Sequence, residues 1–430
     1  RCIARRAPPQ SKNLKTAEKR VKQMSNLKLA GVSKTYPSGK PALFDVNFSA
    51  SDGEFIAIIG GAASGKSTIL RIIAGLEEAS EGDIYIGDKL MNDVKTKDRD
   101  VAMVFSGNTL YPNMNVAENM AFGLKMRNVP TAVAMESVKL VAEMLGLSDV
   151  LYRKPKTLTS AQKLLATYGR AIVREPRVYL FDDPLSGLDE KLRAQMCSVL
   201  VNLQARVKGT FIYATKNVAE AMSMATRVVV LKDGFVQQTD TPRNLYDYPA
   251  NEYVAFYVGS PTINFVRRAT VERDESGVYA LASGVKFPLP ENIVSRWGNI
   301  EEYVGSGREV TLGLRPEDLR FGGENAEYPC TVLGADSIYE GVAEVELAKG
   351  LTLSVFMTKP EKGKAGKLQA DLKRLYVFDG KTGLTLLARD GGYEPDEKNG
   401  EADFVPLTPD EMQEQIAQRT PVEQPKKKRR

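Results

Sequence analysis

Eight consecutive residues, Gly60-Gly61-Ala62-Ala63-Ser64-Gly65-Lys66-Ser67, follow the pattern G-x-x-x-x-G-K-[ST]. Such a loop can turn its backbone N–H groups inward around phosphates, with the lysine neutralising the outer ones and the hydroxyl holding a divalent cation. The pattern carries meaning only between a strand and a helix, and both are in place. Apolar Phe55-Ile59 precedes it, and Ile69, Leu70, Ile72 and Ile73 follow at helical spacing, with Gly75 as the stop. The bland alternative is a tight glycine turn without a ligand. A second element argues against it: Val178-Tyr179-Leu180-Phe181-Asp182-Asp183 is an apolar strand ending in two carboxylates, which places an acid beside a phosphate-loop magnesium ion. Asp182 is expected to orient the Mg²⁺ shell, and Asp183 to polarise an attacking water.

The elements that must position these residues read as a parallel sheet covered by helices. Short, continuous apolar strands recur at Phe55-Ile59, Val101-Phe105, Val178-Phe181, Thr210-Ala214 and Arg227-Leu231. Between about 110 and 175 the pattern is mostly helical, with Met120-Met126 and Ala132-Leu145 as candidates. After about residue 258, glycine-punctuated alternating segments at Val310-Leu314, Tyr328-Leu333, Val342-Leu347 and Leu351-Phe356 predict a small all-β domain. From about 393 the chain turns polar. There, Thr408-Pro409-Asp410-Glu411 has the capping threonine, first-turn proline and glutamate of a helix start, expected to be a surface appendage.

Composition removes several alternatives. The 430 residues contain no histidine, which excludes Ser-His and Cys-His nucleophile pairs and His-ligated metal sites. Cys2, Cys197 and Cys330 are too far apart in sequence for a disulfide framework or a metal spacing. No apolar run approaches the ~18 residues of a membrane span. The net charge of +5 belongs to the ends: residues 1–23 carry +7 and Lys426-Arg430 carry +5, which leaves −7 for residues 24–425. An acidic body with terminal basic runs gives no reason to expect a nucleic-acid partner. Residues 1–23 read as a basic extension upstream of Met24.

Further strings make the chain resemble the ATP-binding subunits of ABC importers, specifically the sugar-uptake type related to the maltose importer subunit. The likeness covers about residues 26–390. It rests on Met91-Asn92-Asp93, Leu110-Tyr111-Pro112, Val116-Ala117-Glu118-Asn119-Met120, Asp183-Pro184-Leu185-Ser186-Gly187-Leu188-Asp189, Gly259-Ser260-Pro261-Thr262-Ile263-Asn264-Phe265 and Leu314-Arg315-Pro316-Glu317. The resemblance implies an α/β P-loop nucleotide-binding domain of ABC type over 24–258, with a helical subdomain at about 107–175. It also implies an OB-fold-like regulatory domain over 259–392 and a tail over 393–430. ATP and Mg²⁺ are the implied cofactors, bound by Tyr36 stacking on adenine and by Gly60, Gly61, Ala62, Ala63, Ser64, Gly65, Lys66, Ser67 and Thr68. Two subunits would pair head to tail, as a homodimer or with a second ATP-binding subunit, on membrane permease subunits that meet residues 106–125. The implied location is cytoplasmic, peripheral on the inner face of the cell membrane.

By the same resemblance the chain departs from the family where turnover happens. Ser106 stands where the family has a magnesium-sensing glutamine. Leu158-Thr159-Ser160-Ala161-Gln162 stands for Leu-Ser-Gly-Gly-Gln, with side chains in place of two glycines that let the backbone approach the partner's γ-phosphate. Asp183 replaces a glutamate one methylene longer, and Lys216 replaces the histidine that contacts the γ-phosphate. A misplacement of roughly 1 Å at a reacting centre can cost about 100-fold in rate. The expectation is therefore retained MgATP binding with weakened hydrolysis. A catalytically inactive paralogue acting in regulation or assembly is the alternative. In a mixed dimer both sites would be impaired, one by Asp183 and Lys216 and the other by the altered signature.

Overall fold

The structure is a computed structural model in which residues 27–107, 110–323, 326–389 and 407–419 are described. The basic extension 1–23 and the terminal basic run lie outside the described residues. β1 (Leu27–Thr35) and β2 (Pro41–Ala50) form an antiparallel ribbon. β3 (Phe55–Gly60) then enters a second sheet with all six residues buried, which is why it reads as an unbroken apolar run. α1 (Lys66–Ala74) leaves the glycine-rich turn and stops at Gly75, whose φ of 73° is left-handed. β4 (Glu81–Ile86) and β5 (Lys89–Leu90) complete the first sheet in the order β2-β1-β4-β5.

After β6 (Val101–Val104), three helices follow: α2 (Val116–Met126), α3 (Thr131–Met144) and α4 (Ser160–Ile172). α2 starts four residues before the expected Met120. Asn115 accepts from the Glu118 amide and Glu118 accepts from the Asn115 amide, both at 2.8 Å, a capping box that apolar spacing does not reveal. β7 (Val178–Asp182), α5 (Glu190–Val207), β8 (Thr210–Thr215), α6 (Val218–Met224), β9 (Arg227–Lys232) and β10 (Phe235–Asp240) complete the α/β body. Its sheet runs β10-β9-β3-β8-β7-β6, parallel except for β10. The helices pack on it through two large apolar clusters, one around Phe181 and Phe211 and the other around Ile58, Leu70 and Leu231.

α7 (Pro242–Asp247) and α8 (Glu252–Tyr257) lead to the β-rich part. This comprises β11 (Asn264–Asp274), β12 (Gly277–Ala282), β13 (Val285–Pro288), α9 (Glu291–Val294), β14 (Glu309–Leu314) and β15 (Leu319–Phe321). It continues with β16 (Tyr328–Ala335), β17 (Val342–Ala348), β18 (Leu351–Phe356), β19 (Ala365–Ala370) and β20 (Tyr376–Asp379). Three of the four expected segments build a closed barrel, β15-β18-β17-β16-β19. Val310-Leu314 belongs instead to a separate sheet, β13-β12-β11-β14-β20. Val266, Leu312, Val332 and Leu353 share one core between the two.

Arg315 joins the β-rich part to the α/β body. It is wholly buried, donates to the carbonyls of Tyr246 (3.2 Å) and Ala255 (3.1 Å), and places its guanidinium 3.9 Å from the Tyr246 ring centroid. A buried guanidinium is tolerated only with such partners.

α10 (Pro409–Arg419) begins as expected: the Thr408 amide donates to Glu411 Oε2 at 2.7 Å, and the Glu411 amide donates to Thr408 Oγ1 at 3.3 Å. It lies on the surface, as expected, but is anchored there. Met412 is buried against Phe44 and Phe235 of the α/β body. A cap dictates where a helix starts and says nothing of what its apolar side meets. Among the described residues no helix is long and apolar enough to cross a membrane.

Candidate phosphate-binding site

β3 delivers the loop to the ends of parallel strands, and α1 carries it away. Gly65 has a φ of 101°, and a Cβ there would lie 2.5 Å from Leu43 Cδ2 and 2.9 Å from the Ala42 carbonyl. Only glycine fits, so the loop stays pressed against β2. Lys66 Nζ donates to the carbonyls of Gly60 (2.8 Å) and Gly61 (2.6 Å) and to Ser64 Oγ (3.1 Å), folding the loop around the ammonium. Burial, helped by the Lys216 charge and opposed by Asp183 and Asp182, pushes the Lys66 ammonium down to about 8. A desolvated lysine facing a second cation makes a site that gains from an anion.

Ser67 Oγ donates to Asp182 Oδ1 at 2.7 Å, across 115 residues of sequence. The two supply the hard oxygens that Mg²⁺ accepts. Among the described residues no group of three or more acidic or thiol side chains could cage a metal. Two side-chain oxygens leave most of an octahedral Mg²⁺ shell to other donors.

Asp183 follows directly. Its amide donates to the Ala214 carbonyl at 2.8 Å, its φ is 47°, and its side chain is half-buried. Left-handed backbone is sparsely populated outside glycine, although aspartate tolerates it better than most. Lys216 is exposed just past β8. The structure thus brings Lys66, Ser67, Asp182, Asp183 and Lys216 to one rim. Tyr36 donates to Glu77 Oε2 at 2.8 Å and lies 3.3 Å from Thr68 Oγ1, so its ring is tethered to the first turn of α1. Gly61 has open space at its Cα, and Ala63 takes a left-handed φ of 58°.

The signature segment is elsewhere. Thr159 caps α4: its hydroxyl accepts from the Gln162 amide at 3.2 Å while Gln162 Oε1 accepts from the Thr159 amide at 3.0 Å. Ser160 and Ala161 open the helix, with Ser160 exposed. Ser106 is exposed beyond the end of β6.

Sequence reasoning missed a buried acid behind the rim. Glu220 accepts from Tyr213 (2.7 Å) and Thr215 (2.8 Å) and pairs with Arg193 at 3.3 Å, while Arg193 also donates to the Leu188 carbonyl at 2.7 Å. The network ties the segment leading to Asp189 to the strand end before Lys216. Tyr257, at a long 3.5 Å from the Lys216 carbonyl, stacks on Tyr253, which donates to the Leu231 carbonyl at 3.3 Å. The i,i+4 pair of tyrosines was the one available signal, and it reads equally well as core.

Residues 43–186 match the family model "ABC transporter", and residues 259–319 match "MalK OB fold domain". Similar proteins include the oligosaccharides import ATP-binding protein MsmX of Bacillus subtilis, 43% identical over 69% of this chain and 79% of its own length. The sn-glycerol-3-phosphate import ATP-binding protein UgpC of Chromobacterium violaceum is 39% identical over 84% of this chain and 95% of its own length. UgpC of Yersinia pestis bv. Antiqua is 39% identical over 84% of this chain and 99% of its own length.

Proposed function

This chain belongs to the ABC transporter ATP-binding family, and from that premise we propose that it is the ATP-binding subunit of a carbohydrate importer that binds MgATP and turns it over slowly. The observation that carries the proposal is the loop itself: Lys66 folded into its cradle and Ser67 paired with Asp182, beside altered residues at the rim. Lys66 and the loop amides would hold the outer phosphates, with Ser67 and Asp182 holding Mg²⁺. When bound, that ion would neutralise developing charge on the phosphates. Asp183 would orient water with a reach one methylene short, and Lys216 would place a mobile charge where planar geometry is wanted.

The relatives are named for import of oligosaccharides and of sn-glycerol-3-phosphate, which supports a small polyhydroxylated cargo. Thr159 and Gln162 bond to each other at the start of α4 and have no hydrogen bond to the loop among those of the described residues, which supports a site completed by a second subunit, identical or not. Tyr111 ahead of α2 and Met126 at its end are exposed and support a permease-docking face on the cytoplasmic side of a membrane.

The test compares the protein with a variant carrying Ser106→Gln, Asp183→Glu, Lys216→His, Thr159→Ser, Ser160→Gly and Ala161→Gly. Both should bind MgATP, and steady-state hydrolysis should rise roughly 100-fold in the variant. Equal, substantial hydrolysis by the two would overturn the proposal.

A further inference from the structure

α10 lies beyond both stretches that match family models, and the site described above makes no use of it. We propose that α10 is a strap that positions the phosphate loop, with Met412 as its positioning residue. The inference rests on the ATP-binding reading of that loop.

The contacts run in three links. Met412 packs on Phe44 and Phe235, whose rings stack with centroids 4.2 Å apart and planes 2° from parallel. Leu407 and Ile416 cover the flanks, Gln237 Nε2 donates to Met412 Sδ at 3.7 Å, and Arg419 pairs with Glu81 at 2.9 Å. The Phe44 amide donates to the Gly234 carbonyl at 3.0 Å, and the Gly234 amide donates to the Ser64 carbonyl at 3.2 Å. Ala42 and Leu43, the residues before Phe44, occupy the space beside Gly65. Ser64 and Gly65 are therefore gripped between the start of β2 and the turn joining β9 to β10. The phenylalanine pair that closes this grip is the pair Met412 covers.

The strap is built to open. An eleven-residue helix is marginal in water by itself, so its order depends on docking. The docking surface offers one buried side chain, two partly buried ones, a long hydrogen bond to sulfur, Arg419 over the Phe44 ring at 5.8 Å and a partly exposed ion pair, a small set that places its opening toward the low end of the stability range. Docked, α10 holds the grip and leaves the loop amides ordered before nucleotide arrives. Undocked, nucleotide must itself order Ser64 and Gly65, and affinity falls.

The experiment uses the full chain, the Met412→Asp/Ile416→Asp variant, the conservative Met412→Leu variant, and a chain ending at residue 406 with and without a peptide of residues 407–419. MgATP affinity and amide exchange over residues 61–66 are read together, with thermal midpoint as the control. Loss of α10 should weaken MgATP about three- to tenfold and speed loop exchange, with Met412→Leu close to wild type and saturating peptide restoring both. Unchanged affinity and loop exchange in the chain ending at 406 would overturn the strap. If the wild type bound no MgATP, the ATP-binding reading would fail on its own, and loop exchange with and without α10 would still decide the strap.

Discussion

The phosphate loop and the rim around it differ in what holds them. From Gly60 to Thr68 the functional groups are also the structural ones: Lys66 Nζ ties the loop together, Gly65 packs on β2, and Ser67 reaches Asp182. At the rim, Lys216 is exposed and Asp183 is half-buried; Ser106 beyond β6 and Thr159 and Ser160 at the start of α4 are exposed as well. β7 and β8 are themselves fully buried, and α4 is capped by Thr159. Change in the loop would cost fold and binding together, whereas change at the rim costs folding little, because few packed neighbours feel it. On the proposed reading, substitutions at the rim would alter turnover more than binding.

The sharpest way to break the contrast is Lys66→Ala. Losing charge-assisted hydrogen bonds to phosphate should weaken nucleotide binding about 100-fold by equilibrium titration, while Lys216→Ala should change affinity much less. Comparable losses for the two would mean that the rim also carries binding.

A pH titration gives a smaller effect. Free Lys66 titrates at about 8, and phosphate alongside favours its charged form, so the bound state holds the proton more tightly. Below pH 8 the lysine is already protonated and affinity should be flat. Above it, binding must take up a proton, so affinity should fall by up to about tenfold per pH unit. A flat profile to pH 9.5 would show that Lys66 keeps its proton in the free protein.

The smallest effect expected is on folding. Thr159→Ala removes a helix cap and should cost about 1 kcal/mol by denaturant unfolding, with MgATP affinity unchanged. An affinity change in the isolated subunit would place the signature segment within reach of its own chain's loop.

Local chemistry was legible wherever a residue's job depends on near neighbours in sequence. The loop between strand and helix, the stop at Gly75, the paired carboxylates ending β7 and the cap at Thr408 all follow from side-chain types at fixed offsets. The start of α2 was misread because Asn115 and Glu118 are polar and add nothing to an apolar stripe. Val310-Leu314 alternates like the barrel strands, and alternation cannot tell one β layer from another.

The sequence by itself determined the loop's residue types and its place between strand and helix, because the motif carries its own geometry through glycine, lysine and a helix N-terminus. Only the tertiary structure decided what those residues rest on. Ser67 meets Asp182 through the order of strands in the sheet, and Glu220 gathers Tyr213, Thr215 and Arg193 at a buried crossing. Met412 reaches Phe44 from the far end of the chain. Such contacts are selected by burial and shape across long sequence separations, where no local preference of the chain reports on its partner.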